Sequence, residues 1–420
     1  MSSGWRAALP LLALTALGAA ACRDFDAAYN HCLERIDGGA SPDAGPGGSA
    51  PDAGAGGDAG APSDGGNPAD AGPADAGPPR PASWTLLSSE AVGRFFHSAT
   101  LLASGKVLVA GGTDNTVTLD SAELFDPTNN GWADAGTLTT PRQEHVAAAL
   151  VNGSILLASG AAVAASEFYN PATSTFDAGP AMATQGYGFA GTLLPSGEVF
   201  VAGGWDGTNV FTVAQRFDAG TLTWSTVPPM PVGRHTFTAT ALPNGNILLA
   251  GGQSATGIEN TADVYNPVSN SWRSTGVMTD ARTQHAAVLL PNGKVLVVGG
   301  INTGGANYLN SAELYDATSN TWAAAAPMST PRSGPSATLL PSGKVLVAGG
   351  ETPNAPYFIA TAELYDPATN SWAVTVPMNL ARWFHTATLL PTGKVLVTGG
   401  WDGHGCVCAQ SAAEIYDPGN

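Results

Sequence analysis

Basic residues are scarce in this chain. Its 420 residues hold 16 Lys plus Arg against 33 Asp plus Glu, a formal net charge of −17. The deficit lies on both sides of residue 81. It is 3 against 10 from Cys22 to Pro81, and 12 against 23 from Ala82 onward. Phosphate backbones and anionic lipid surfaces are poor partners for such a chain, so nucleic acid is excluded as an expected ligand. Long apolar runs are missing too. The run from Ala7 to Ala16 is too short to span a bilayer and stay there. No helical period appears after Ser83, which excludes a bundle or an α/β sheet. There is no Gly-x-Ser-x-Gly elbow, no His-Glu-x-x-His and no phosphate loop. Cysteine is limited to Cys22, Cys32, Cys406 and Cys408.

What is present begins with an export signal over residues 1–21. Arg6 opens it, the apolar run follows, and small residues close it. Ala19-Ala20-Ala21-Cys22 suits ordinary cleavage. A Cys after small residues also resembles the lipobox of bacterial lipoproteins, although Ala19 stands where Leu is usual. The resemblance implies lipidation at Cys22 and a place in the cell envelope or outside the cell. Residues 22–37 form a short N-terminal segment. From Gly38 to Pro79 every residue is Gly, Ala, Pro, Asp, Ser or Asn. Such a segment cannot bury enough surface to offset its ordering entropy, so residues 38–81 are expected to be a disordered linker spanning roughly 35 Å.

Export implies an oxidising compartment. If Cys22 is lipidated, one of the other three thiols is odd. If it is not, Cys22–Cys32 and Cys406–Cys408 can both close. His404, Cys406 and Cys408 could together hold a soft metal, but they supply only three ligands. A local Cys406–Cys408 disulfide is the preferred expectation.

From Ser83 onward the texture repeats. Leu339 to Gly350 reads Leu-Leu-Pro-Ser-Gly-Lys-Val-Leu-Val-Ala-Gly-Gly, and close copies end at Gly112, Gly204, Gly252, Gly300 and Gly400. A degenerate copy ends at Gly160-Ala161. Each unit continues as in Ser311 to Asp316 and closes on an aromatic: Trp132, Phe176, Trp224, Trp272, Trp322 or Trp372. These lie 44 to 50 residues apart. One unit carries four strand signals. In the sixth they are Ser336 to Leu340, Lys344 to Ala348, the alternating Ala362 to Asp366, and Ser371 to Val376. Pro341-Ser342-Gly343 supplies a turn between the first two. The alternation over Ala362 to Asp366 predicts a half-buried strand. Four strands per unit, repeated radially, make a propeller. The last unit stops at Tyr416-Asp417-Pro418 without its Trp strand, while Ser83-Trp84-Thr85 is a Trp strand without a unit. The N-terminal strand should therefore complete the seventh blade and remove the free edges.

A Gly-Gly pair after an apolar strand, then Tyr, then Trp, at a period near 50 residues, resembles the kelch repeat. The resemblance runs from residue 82 to 420. It implies an all-β, seven-bladed kelch propeller. It also brings in galactose oxidase and other radical copper oxidases, whose site has a Tyr crosslinked to Cys, a Tyr followed by His, and a further His. This sequence has no Tyr-His dipeptide, and its cysteines lie after the last Gly-Gly or before the propeller. That chemistry does not carry over, so no cofactor and no catalytic residue are assigned.

Six units place an Arg just before the inner strand: Arg94, Arg142, Arg234, Arg282, Arg332 and Arg382, with Gly186 in the seventh place. His97, His145, His285 and His385 follow three residues later. A cationic ring for an anionic ligand is one reading. Structural hydrogen bonding between blades, to carbonyls and to the Asp of Tyr-Asp, is favoured because the feature recurs. Asymmetry is the better guide to a site. Arg94-Phe95-Phe96-His97 and Arg382-Trp383-Phe384-His385 belong to adjacent blades, and Trp401-Asp402-Gly403-His404 follows the last Gly-Gly. The expected ligand-binding set is Phe95, Phe96, Arg382, Trp383, Phe384, Trp401, Asp402 and His404. Aromatics with a few polar partners suit a glycan or a protein hot spot. The expectation is a monomeric binding module that meets a membrane only through a lipid anchor.

Overall fold

The computed structural model describes residues 80–160, 163–302, 307–403 and 409–419. The expected export segment, nearly all of the expected linker, Cys22, Cys32, His404, Cys406 and Cys408 lie outside the described residues. Each repeat folds as an antiparallel meander of four strands. The first blade is Ser98–Leu101, Val107–Ala110, Ser121–Asp126 and Gly131–Thr137. The sixth is Ser336–Leu339, Val345–Ala348, Ala362–Asp366 and Ser371–Thr375. There are seven such sheets and no helix among the described residues.

The inner strands are made of small residues because seven of them converge on one axis. Each neighbours the inner strand of the blade before and after, and Ser98–Leu101 of the first blade meets Thr386–Leu389 of the seventh. The second strands are apolar, save for Thr398 in the seventh blade, because both their faces are covered. Val107 and Val109 pack towards the seventh blade, while Leu108 and Ala110 pack towards the second. The core is thus seven clusters, one in each seam between blades.

The ring closes as expected. Ser83–Leu86 pairs with Glu414–Asp417 in the register Ser83↔Asp417, Trp84↔Tyr416. Trp84 then meets Tyr416 at 4.9 Å between ring centroids, tilted 47°. The same pairing recurs at 5.2 Å for Phe125 with Trp132 and 5.0 Å for Tyr365 with Trp372. The strand Ala362–Asp366 departs from the half-buried alternation that its sequence predicts. Glu363 and Tyr365 are both buried, Tyr365 because it faces Trp372 and the seam with the fifth blade. Glu363 is buried for an electrostatic reason.

Candidate functional site

The six arginines are fully buried and bind within their own blade. Arg332 donates to the Gly349 carbonyl at 2.9 Å, to the Thr361 carbonyl at 2.8 Å and to Glu363 at 2.8 Å. The partners of the others are Glu123, Glu167, Asp263, Glu313 and Glu414, and Arg94 also pairs with the buried Glu90 at 3.0 Å. The carboxylate common to all six is therefore the acidic residue of the Ser-Ala-Glu segment, and the arrangement lies within a blade. The Asp of Tyr-Asp points to the other face, where Asp126, Asp316, Asp366 and Asp417 meet Lys106, Lys294, Lys344 and Lys394. A buried guanidinium and a buried carboxylate are tolerable only together. The third blade shows this by losing both: Gly186 replaces Arg, and Gln215 replaces the carboxylate, accepting from the Ala183 amide at 2.7 Å.

The link between blades comes from the backbone beside each Arg. The second Gly of every Gly-Gly, or Gly160 in the degenerate copy, donates to the carbonyl of the Arg, or of Gly186, in the next blade at 2.8–2.9 Å. The seventh such bond, Gly400 to Arg94, closes the circle. A Cβ on Gly300, which has φ +97°, would strike the Thr283 carbonyl and His285. The histidines also fasten seams. Nε2 of His145 meets Ser98 Oγ at 2.7 Å, His285 meets Thr238 Oγ1 at 3.0 Å and His385 meets Ser336 Oγ at 2.9 Å. His97 meets Thr386 and Thr398 across the closing seam. Burial first, then the neighbouring Arg, pushes His145, His285 and His385 down to about 3 and His97 well below its usual range.

Of the expected ligand-binding residues, the fold gathers Phe95, Phe96, Trp383, Phe384 and Trp401 at one seam. Trp383 and Trp401 exchange both main-chain hydrogen bonds, and their rings lie 5.8 Å apart. Phe95 is 4% exposed and Trp401 is 6% exposed, so these two form the floor. Phe96, Trp383 and Phe384 form a half-buried rim with Phe358, which packs on Trp401 at 4.9 Å. Asp402 accepts from Gln410 at the edge of this cluster. Arg382 departs from the expectation of a polar partner for a ligand: its side chain is buried and committed to Glu414.

A further ring lies at the axial mouth. The residue two places after each Arg, or after Gly186, has left-handed φ: Phe96 (56°), Glu144 (51°), Gly188 (65°), Thr236 (53°), Gln284 (54°), Gly334 (57°) and Phe384 (51°). Five of these carry side chains in a region such residues rarely adopt. Amide-to-carbonyl bonds within the ring hold four of them: Glu144 donates to the Phe96 carbonyl at 2.9 Å, Thr236 to that of Gly188 at 3.1 Å, and Gly334 to that of Gln284 at 2.8 Å. All seven are half-buried. Phe96 and Phe384 touch across the closing seam at 4.3 Å. The sequence holds the signal for this ring, namely a fixed offset from the Arg in every repeat. Attention to the Arg and His on either side passes over it, because the residue types at the offset share no chemistry.

The Attractin/LZTR1 beta-propeller family pattern matches residues 177–406, just over half of the chain, and the Kelch motif matches residues 95–139. Human Kelch-like protein 33 is 29% identical over 140 residues, which are 31% of this chain and 26% of that protein. The chain thus spans about a quarter of the length of that relative. Among solved structures, a novel fungal alcohol oxidase of the AA5 family in complex with copper superposes with a TM-score of 0.69 and 19% identity. The match covers 81% of this chain and 77% of the oxidase, and it is a likeness of fold.

Proposed function

This chain belongs to the Attractin/LZTR1 β-propeller family of kelch-repeat proteins, and on that premise we propose that it is a non-enzymatic module that binds a protein partner at the cell envelope. The observation that carries this reading is the aromatic rim. Phe96, Trp383, Phe384 and Phe358 stand half-buried over a rigid floor of Phe95 and Trp401. Aromatics held in place by packing lose little entropy on binding, which is what a hot spot requires. The Ala19-Ala20-Ala21-Cys22 segment supports export with lipidation at Cys22. The Gly/Ala/Pro/Asp segment that follows would act as a tether.

A copper oxidase reading would draw on fold likeness alone. The four inner histidines are spent on seam bonds, and no group of three or more His, Cys, Asp or Glu able to hold a metal occurs among the described residues. The residues do not fit such a centre, and no oxidative step is assigned to the chain.

The test is binding of envelope proteins to the immobilised full chain, with Trp383→Ala beside it and Lys106→Ala as the opposite-face control. Retention of a specific protein should fall about tenfold or more in Trp383→Ala, the loss of one hot-spot residue, and stay unchanged in Lys106→Ala. Equal retention by all three chains would remove the aromatic rim as the site. Binding of free oligosaccharides instead of protein would move the reading to a glycan.

A further inference from the structure

The aromatic rim runs into the axial mouth through Phe96 and Phe384, which belong to both. What the mouth adds to that rim is one charge. Of the side chains at the seven left-handed positions, Glu144 alone is ionisable. Its amide is bonded to the Phe96 carbonyl, so its backbone is fixed one blade on from the Phe96–Phe384 pair. The polar side chains elsewhere on the ring are already engaged. Gln284 Oε1 accepts from Ser333, and Thr236 Oγ1 is bonded to His235. The Glu144 carboxylate has no hydrogen-bond or ion-pair partner among the described residues. The charged and titratable groups packed around it offer none. Arg142 is taken by Glu167, and His145 is held neutral against Ser98. Tyr187 is a phenol whose ionisation is pushed up by burial and then by the Glu144 charge itself.

An unpaired carboxylate in a half-buried site costs free energy in the empty protein. Burial pushes the Glu144 carboxyl up to about 7. Strain is stored there as well, since its backbone is left-handed without being Gly. The cost of the unpaired carboxylate is recovered if a cation enters, while the left-handed backbone holds the residue in place. Aromatic faces beside a carboxylate suit a guanidinium or ammonium, which can lie over a ring and pair at its edge. The excess of acidic residues in the chain favours the approach of such a group.

We propose that the axial mouth is a subsite for a cationic side chain of the protein partner, an arginine or lysine held between the Glu144 carboxylate and the faces of Phe96 and Phe384. This rests on the protein-binding reading and names the chemistry of what is bound. It also has a readout that needs no natural partner.

The probe is a capped Gly-Gly-Arg-Gly-Gly peptide, titrated into the full chain beside its citrulline counterpart, a neutral isostere. The arginine peptide should bind saturably and about tenfold or more tighter than the citrulline peptide, and Glu144→Gln should remove that preference. Phe384→Leu should weaken binding of the arginine peptide several-fold while keeping the preference. Binding of the arginine peptide should weaken as pH falls from 8 to 6, because the carboxylate takes up a proton. Glu144→Gln removes a charge that burial disfavours, so it should fold; thermal unfolding verifies this. Equal binding of the two peptides, no binding of either, or an undiminished preference in Glu144→Gln would each overturn the proposal. Arginine preference together with an unaffected partner in Trp383→Ala would sink the rim and keep the mouth. Loss of the partner in Trp383→Ala without any arginine preference would do the reverse.

Discussion

At the scale of single residues, the fold rests on paired substitutions. Arg332 and Glu363 are both buried, 2.8 Å apart, and each would be costly alone. Arg332→Ala should destabilise the protein by about 3–5 kcal/mol, because it strands a carboxylate in the blade. Arg332→Gly with Glu363→Gln reproduces the pair that the third blade already uses in Gly186 and Gln215. The double variant should recover part of the loss, with a coupling of about 1–3 kcal/mol in denaturant unfolding. Simple additivity of the two single changes would contradict this account. The Arg repeat is legible in the sequence, and so is its structural character. Its partner is not. Glu363 and Asp366 sit three residues apart on one strand, and periodicity alone does not say which end of the blade the guanidinium reaches.

At the scale of elements, one short strand carries the closure. Ser83–Leu86 is only four residues long, yet it supplies the outer strand of the seventh blade. Trp84 anchors it by packing on Tyr416 and donating to the Val376 carbonyl at 2.8 Å. Trp84→Ala should cost about 3–5 kcal/mol, as large aromatic truncations in packed sites do. The freed edge of Glu414–Asp417 should then pair between molecules. Urea unfolding and light scattering read the two effects; wild-type stability with no association would mean that the strand is dispensable. This closure is legible in the sequence because the orphan Trp strand and the incomplete last unit are complementary pieces of one repeat. The aromatic rim is legible for the opposite reason: Arg94-Phe95-Phe96 and Arg382-Trp383-Phe384 break the repeat. Which of those rings form the floor and which the rim depends on blade curvature, and sequence does not encode that directly.

At the scale of the whole molecule, the ring has two opposed responses to pH. Four seam histidines are held neutral in the fold but bind protons when unfolded, so stability is lost as pH falls below about 6.5. Glu90, pushed up to about 8 chiefly by burial against the opposing pull of Arg94, and Glu144, pushed up to about 7, bind protons more tightly when folded. Their contribution is lost as pH rises from about 4.5 towards 8. Unfolding temperature should therefore peak near pH 6.5–7 and fall on both sides. Glu90→Gln should flatten the alkaline limb and leave the acid limb in place. A profile that rises steadily to pH 8.5, or a Glu90→Gln profile identical to wild type, would refute this assignment. The seven-bladed ring itself is the most legible feature of the chain, because every repeat votes for it. The mouth is the least legible, because its seven positions agree in backbone and disagree in chemistry.

That disagreement has a consequence for how such a protein changes over time. The ring slots are set by main-chain bonds between neighbouring blades, so the side chain placed in a slot owes little to folding. Phe, Glu, Gly, Thr and Gln occupy equivalent slots in one molecule with φ confined to 51–65°. The mouth behaves like a dial of seven independently rewritable letters mounted on a fixed frame. A lineage carrying this frame can exchange partners one letter at a time, at a local strain cost of about 1–3 kcal/mol for each side chain placed in a left-handed slot, and two close descendants could share every blade and recognise nothing in common.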